Sequence, residues 1–138
     1  MEQNEKSGKL LEVKDLRVSF FTPAGEVKAV SGISYDLDYD EVMGIVGESG
    51  SGKSQEAYSI MGLLQSPGKV IGGSITFEGQ DVLSFSKEEM TNLRGNKIAM
   101  IFQDPFSSLD PRQTAESIVG ESLLLHKLVK NREEYNAR

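Results

Sequence analysis

Residues 47–54 run Gly47, Glu48, Ser49, Gly50, Ser51, Gly52, Lys53, Ser54, filling every fixed position of the pattern G-x-x-x-x-G-K-[ST]. Each residue type in it has a physical task. Glycines at 47, 50 and 52 let the backbone turn with its N–H groups facing inward, forming a nest that a polyphosphate enters without meeting side chains. A helix opening at Lys53 adds its unpaired N–H groups and the positive end of its dipole. The Lys53 ammonium reaches β and γ phosphates, and the Ser54 hydroxyl is placed to ligate Mg²⁺. A chance match anywhere in a chain of this length is roughly one in a hundred or rarer. The competing dinucleotide fingerprint fails, because it requires a glycine at position 55 and Gln55 stands there.

Such a loop needs a buried strand entering and an amphipathic helix leaving, and the flanks supply both patterns. Residues 42–46 (VMGIV) form a short uniform apolar run, the mark of a strand covered on both faces of a sheet. After Lys53, Ala57, Ile60, Met61 and Leu64 recur at helical spacing, and Ser66, Pro67 and Gly68 are expected to stop that helix. Upstream, Val13, Leu16, Val18 and Phe20 predict a strand over residues 10–21. A turn at residues 22–25 and a second strand over 27–37 then make a hairpin. Residues 74–78 read as a further short strand, with Gly79 turning it. Ser86 and Glu89 have capping-box spacing and predict a helix to about Leu93. Residues 97–102 read as a second compact apolar strand. The last helix opens either at Asp110, with Pro111 in its first position, or at Thr114, with Glu116 in its first turn. Strands alternating with helices imply an α/β layered fold, with the antiparallel opening portion as an added edge and residues 1–9 as a flexible tail.

The 138 residues suffice for one domain or part of one. With no cysteine, disulfides, thiolate metal sites and cysteine nucleophiles are excluded from these residues, and the single His126 leaves no histidine-rich metal site. A net charge of -6 disfavours binding of nucleic acid by phosphate neutralisation, so no nucleic-acid partner is expected. The polar opening residues carry no secretory signal. The longest apolar runs fall far short of the ~20 residues of a membrane-crossing helix.

A loop that holds polyphosphate does not by itself specify a reaction. A P-loop hydrolase also needs an acidic residue at the end of a neighbouring strand to hold Mg²⁺ and a group to position the attacking water. Downstream, the apolar run over 98–102 ends in Gln103 and Asp104. Either Asp104 is the Mg²⁺-site carboxylate of a small P-loop kinase or GTPase, or Gln103 is the functional group and Asp104 caps the loop.

Residues 47–54, together with MIFQDPFSSLDP at 100–111, resemble the nucleotide-binding subunits of ATP-binding cassette (ABC) transporters, in the oligopeptide and dipeptide importer branch. The segments FFTPAGEVKAV at 20–30 and MGLL at 61–64 fit the same branch, and the resemblance runs from about Leu10 onward. It implies the fold of the P-loop ABC ATPases, with the antiparallel β edge subdomain and part of the helical subdomain. It implies ATP and Mg²⁺ as ligands, with Gln103 as the Q-loop residue near Mg²⁺ and the γ-phosphate. Phe20 takes the position of the adenine-stacking aromatic, with Phe21 as the alternative should Phe20 belong to the strand's core. The loop of residues 103–110, from Gln103 to Asp110, would face a membrane permease. A second ATPase subunit would complete the dimer at the cytoplasmic face of the membrane.

The departures from the family pattern are equally definite. The signature motif, the second acidic motif with the catalytic glutamate, and the switch histidine have no counterpart through Arg138, so no residue is assigned as catalytic base. His126 lies too early for the switch position and reads as a partly exposed residue of the last helix. The sequence therefore implies an ATP-binding portion of a peptide importer's ATPase that does not turn over ATP by itself. An inert nucleotide-binding fragment and a different P-loop kinase or GTPase stand as alternatives. Absent neighbouring strands are expected to leave apolar faces uncovered.

Overall fold

A computed structural model describes residues 8–104, 109–130, 134 and 135. The chain divides into two compact units, Met1–Met90 and Thr91–Arg138.

The first unit is built on a four-stranded antiparallel sheet of order β2-β1-β3-β4, formed by β1 (Lys9–Thr22), β2 (Gly25–Asp38), β3 (Gly68–Phe77) and the two-residue β4 (Gln80–Asp81). The hairpin of β1 and β2 turns at Thr22 and Gly25, where the Thr22 hydroxyl donates to the Gly25 carbonyl at 2.9 Å. Val13, Leu16, Val18, Val30, Ile75 and Phe77 bury the inner face of the sheet, joined by Ile60 of the helix described below and Met61 just past its end. Each such side chain contributes about 1.5–3 kcal/mol by leaving water.

The three-residue step from Val13 to Leu16 breaks the strand's period of two, and a β-bulge accommodates it. The ladder shifts register between Val13 and Leu16 on one side and between Lys14 and Arg17 on the other. Asp15 takes a positive φ of 45° and lies exposed, so both apolar residues face inward. Gly73 on β3 makes room for the bulge, since a Cβ there would fall 2.4 Å from the carbonyl oxygens of Lys14 and Asp15. The sequence pattern starts this strand only at Ser74, after Gly72 and Gly73. The ladder to β1 instead extends it back to Gly68. Likewise β1 begins at Lys9, inside the segment expected as a tail. Lys9 pairs there with Asp36 and Asp38, whose carboxylates push its ammonium up to about 12. Residues 1–7 of that tail lie outside the described residues.

The helix α1 (Lys53–Ile60) follows the glycine-rich loop and ends four residues before Leu64, the last residue of the expected periodic run. Gly62 is the cause. It adopts φ 60°, its N–H donates to the Ser59 carbonyl at 3.1 Å and the Leu63 N–H to the Tyr58 carbonyl at 2.7 Å, which is a Schellman stop. Met61 keeps its buried place beyond the last helical turn. A short 3₁₀ turn at Val82–Ser84 precedes α2 (Lys87–Leu93), which spans the division between the units. The predicted capping box is formed in both directions: the Glu89 N–H donates to Ser86 Oγ at 3.3 Å, and the Ser86 N–H donates to the Glu89 carboxylate at 2.7 Å.

In the second unit the chain turns at Gly95, whose N–H donates to the Ile98 carbonyl at 2.8 Å. The helix α3 (Ala115–Leu125) starts at the later of the two expected positions. Thr114 Oγ1 accepts from the Ser117 N–H at 3.2 Å, while Asp110 instead holds a local turn by accepting from the Arg112 backbone and guanidinium. His126 closes α3 as its C-terminal cap, half-buried, and a Cβ on Gly95 would lie 3.1 Å from its Nε2.

The two apolar runs read as covered strands, residues 42–46 and 97–102, do not form strands. Both are irregular apart from one bridge between Arg94 and Ile98. Val42, Val46 and Ile101 are 96%, 93% and 95% exposed. A strand apolar on both faces is stable only between paired neighbours that carry helices on each side, and no such ladder exists among the described residues. The expected layered core is therefore present here as its antiparallel edge, and the expected uncovered apolar surface is present with it.

Candidate functional site

The glycine-rich loop joins the exposed run 42–46 to α1 and lies wholly within the first unit. Gly50 and Gly52 adopt φ of 81° and 96°, the left-handed conformations for which glycine is suited. Gly52 is the N-cap of α1 and supplies no side-chain cap to the first turn, while its carbonyl accepts from the Glu56 N–H at 3.0 Å. It also fixes the loop against the sheet: a Cβ on Gly52 would fall 2.2 Å from the Ala29 carbonyl oxygen of β2. Gly47 faces the loop interior, where a Cβ would lie 2.7 Å from Ser51 Oγ and 3.7 Å from Lys53 Nζ.

Lys53 is half-buried and its side chain folds back into the loop. Nζ donates to the Gly47 carbonyl at 2.6 Å, the Glu48 carbonyl at 2.7 Å and Ser51 Oγ at 3.3 Å. The Ser51 N–H donates to the Glu48 carbonyl at 3.2 Å, closing the turn. Glu48, Ser49, Gly50, Ser51 and Ser54 are exposed, so the concave side of the loop is open and the Ser54 hydroxyl is accessible. The arrangement can take an anion: an uncapped helix start carries partial positive charge, glycine backbone leaves room, and a fixed ammonium sits at the base.

The structure brings residues 47–54 together as one site. Phe20 lies in β1, half-buried, with its ring over Gly68 of β3; a Cβ there would meet Cε1 and Cζ at 2.8 and 2.9 Å. Its neighbour Phe21 is 49% exposed. Gln103 and Asp104 belong to the second unit, where both are exposed and Gln103 sits in a bend. Of the loop 103–110, residues 105–108 lie outside the described residues.

The model of the ABC transporter family matches residues 30–137. The chain belongs to that family. The oligopeptide transport ATP-binding protein OppD of Escherichia coli K12 is 47% identical to it over 131 residues, covering 95% of this chain. The dipeptide transport ATP-binding protein DppD of Lactococcus lactis is 46% identical over 118 residues, covering 86%. The chain spans 39% and 34% of the lengths of these two ABC relatives. Among solved structures, a dimeric post-hydrolysis state of an ATP-binding cassette bound to ADP and Pi matches with a TM-score of 0.75 at 21% identity. That match covers 92% of this chain and 53% of the other. The likeness establishes the ABC ATPase fold read from the sequence, of which these residues are a part. Among the described residues no helix is long and apolar enough to cross a membrane.

One pair beside the loop, within the first unit, has no counterpart among the sequence motifs. Glu56 of α1 is 3% exposed, and its carboxylate accepts a hydrogen bond from the Tyr35 hydroxyl of β2. Burial, and then the carboxylate it faces, push the Tyr35 phenol above its ordinary range. The signal lies in the spacing: Glu56 stands four residues before Ile60, on the buried stripe of α1, where a charge needs a partner.

Proposed function

We propose that this chain is the nucleotide-binding portion of an ABC importer subunit that couples ATP binding and hydrolysis to uptake of peptides. The observation that carries the reading is Lys53 Nζ held within the loop 47–54 by the Gly47 and Glu48 carbonyls, at the open start of α1. Gly47, Glu48, Ser49, Gly50 and Gly52 offer their backbone N–H groups to the phosphates of ATP, Ser51 lines the same loop, and Lys53 neutralises the β and γ charges. Three features support the fit to a nucleotide: the left-handed Gly50 and Gly52, the Lys53 ammonium held inside the loop, and a first turn of α1 that no side chain caps. Mg²⁺ would supply positive charge beside the phosphates. Ser54 would hold it at the helix start, and the family resemblance gives Gln103 the same task. Phe20 serves the adenine ring.

The names of the peptide-transport relatives support the substrate class. The partners are permease subunits, met through the loop ending at Asp110, and a second ATPase subunit, at the cytoplasmic face of the membrane. No residue of the chain is assigned as catalytic base, so the 138 residues bind nucleotide without turning it over.

Calorimetric titration of the chain with Mg²⁺-ATP, together with a phosphate-release assay, tests this. Binding without release is expected, with Lys53→Ala weakening binding by roughly ten- to a hundredfold, the worth of charge-assisted hydrogen bonds. ATP binding indifferent to Lys53→Ala overturns it, and so does tight, selective binding of GTP.

A further inference from the structure

The carboxylate of Glu56 lies three residues beyond Lys53 on α1, the spacing at which a helix brings an acidic and a basic side chain together. A buried carboxylate seeks a cation, and Lys53 is the near one in sequence. The structure shows the opposite arrangement. Lys53 Nζ points into the loop, onto Gly47, Glu48 and Ser51, whereas the Glu56 carboxylate is turned to β2 and the Tyr35 hydroxyl. Two contacts thus tie the start of α1 to the same strand: Gly52 packs on Ala29, and Glu56 hydrogen-bonds Tyr35.

We propose that Tyr35 is a positioning residue for the polyphosphate site: by holding the Glu56 carboxylate on β2, it keeps the Lys53 ammonium in the loop and available to phosphate. This deepens the nucleotide-binding reading and rests on it. Tyr35 touches no phosphate. It acts through Glu56, whose unrestrained carboxylate would draw Lys53 out of the loop and set a negative charge against the ligand.

A double substitution separates positioning from a purely structural role by the sign of its effect. Tyr35→Phe keeps the ring and frees the carboxylate, so the dissociation constant for Mg²⁺-ATP rises by roughly tenfold. Glu56→Gln removes the competing charge, so its affinity equals or exceeds that of the unsubstituted chain. The double variant Tyr35→Phe/Glu56→Gln regains that affinity, although it has lost both native partners. A double variant as weak as Tyr35→Phe alone overturns the proposal, as does Tyr35→Phe binding normally. If Tyr35→Phe does not fold, Glu56→Gln decides: weaker ATP binding by that variant refutes the role assigned to the charge.

Nuclear Overhauser contacts in the unliganded chain keep this inference distinct from the nucleotide reading. Contacts between the side-chain protons of Lys53 and Glu56 are expected to be weak in the unsubstituted chain and stronger in Tyr35→Phe. Should the unsubstituted chain bind no ATP while these contacts strengthen, the nucleotide reading falls and the positioning by Tyr35 stands. Unchanged contacts overturn the positioning whatever ATP does.

Discussion

Replacing Gly52 by alanine places one methyl group where the fold has no space for it. The residue holds φ 96°, and a Cβ built there lies 2.2 Å from the Ala29 carbonyl oxygen and 3.4 Å from Val30 Cγ2. A left-handed conformation costs a non-glycine residue roughly 1–2 kcal/mol, and forcing α1 off β2 adds an overpacking cost of about 1–3 kcal/mol. Together these are a large part of the ~5–15 kcal/mol that holds a typical domain folded. Gly50→Ala is the matched control, because Gly50 also has positive φ, at 81°, but nothing lies within 4 Å of the point its methyl group would occupy. Its cost is the conformational part alone. Urea unfolding followed by circular dichroism reads the difference as a drop in midpoint at constant slope, larger for Gly52→Ala by about 1–3 kcal/mol. Equal losses in the two variants would refute the claim that the loop is seated on β2 through Gly52.

Ser86→Ala, which removes one half of the capping box, lowers stability by about 1 kcal/mol in the same assay. The Ser86 N–H, and then its hydroxyl, hold the Glu89 carboxyl below its ordinary 4.5, so the part of the box made by the carboxylate is complete above 4.5 and is lost as pH falls through the lower folded value. An acid titration of the helical signal should accordingly run lower in the parent chain than in Ser86→Ala. Val46→Asp, at a position 93% exposed, changes the urea midpoint of this chain by no more than about 0.5 kcal/mol. A loss above about 2 kcal/mol there would mean that the run 42–46 is packed.

The legibility of these features follows the range of the forces behind them. The box at Ser86 and Glu89, the turn after Thr22 and the glycine loop are each settled within a few residues, and each forms where the sequence places it. The end of α1 is equally local, yet Pro67 is the more conspicuous breaker, whereas Gly62 already offers the left-handed residue that a Schellman stop requires. The bulge at Asp15 requires knowing that Gly73 lies across the ladder, which no spacing along the chain announces. Residues 42–46 and 97–102 carry a true strand pattern, but a strand apolar on both faces is set by its neighbours, and composition cannot say whether those are at hand. The turn of the loop and the helix start at Lys53 are legible from the glycine spacing. The tie between Glu56 and Tyr35 crosses 21 positions and is not.

An ammonium has three N–H bonds, and in this loop all three are engaged, by Gly47, Glu48 and Ser51. On the proposed nucleotide reading, a phosphate oxygen arriving at Lys53 would have to take over one of these donors, and the bond to Ser51 Oγ, the longest at 3.3 Å, would be the first surrendered. On that reading the hydroxyl of Ser51 would hold the place of the incoming oxygen, and capture would be an exchange of oxygen acceptors instead of the ordering of a free side chain.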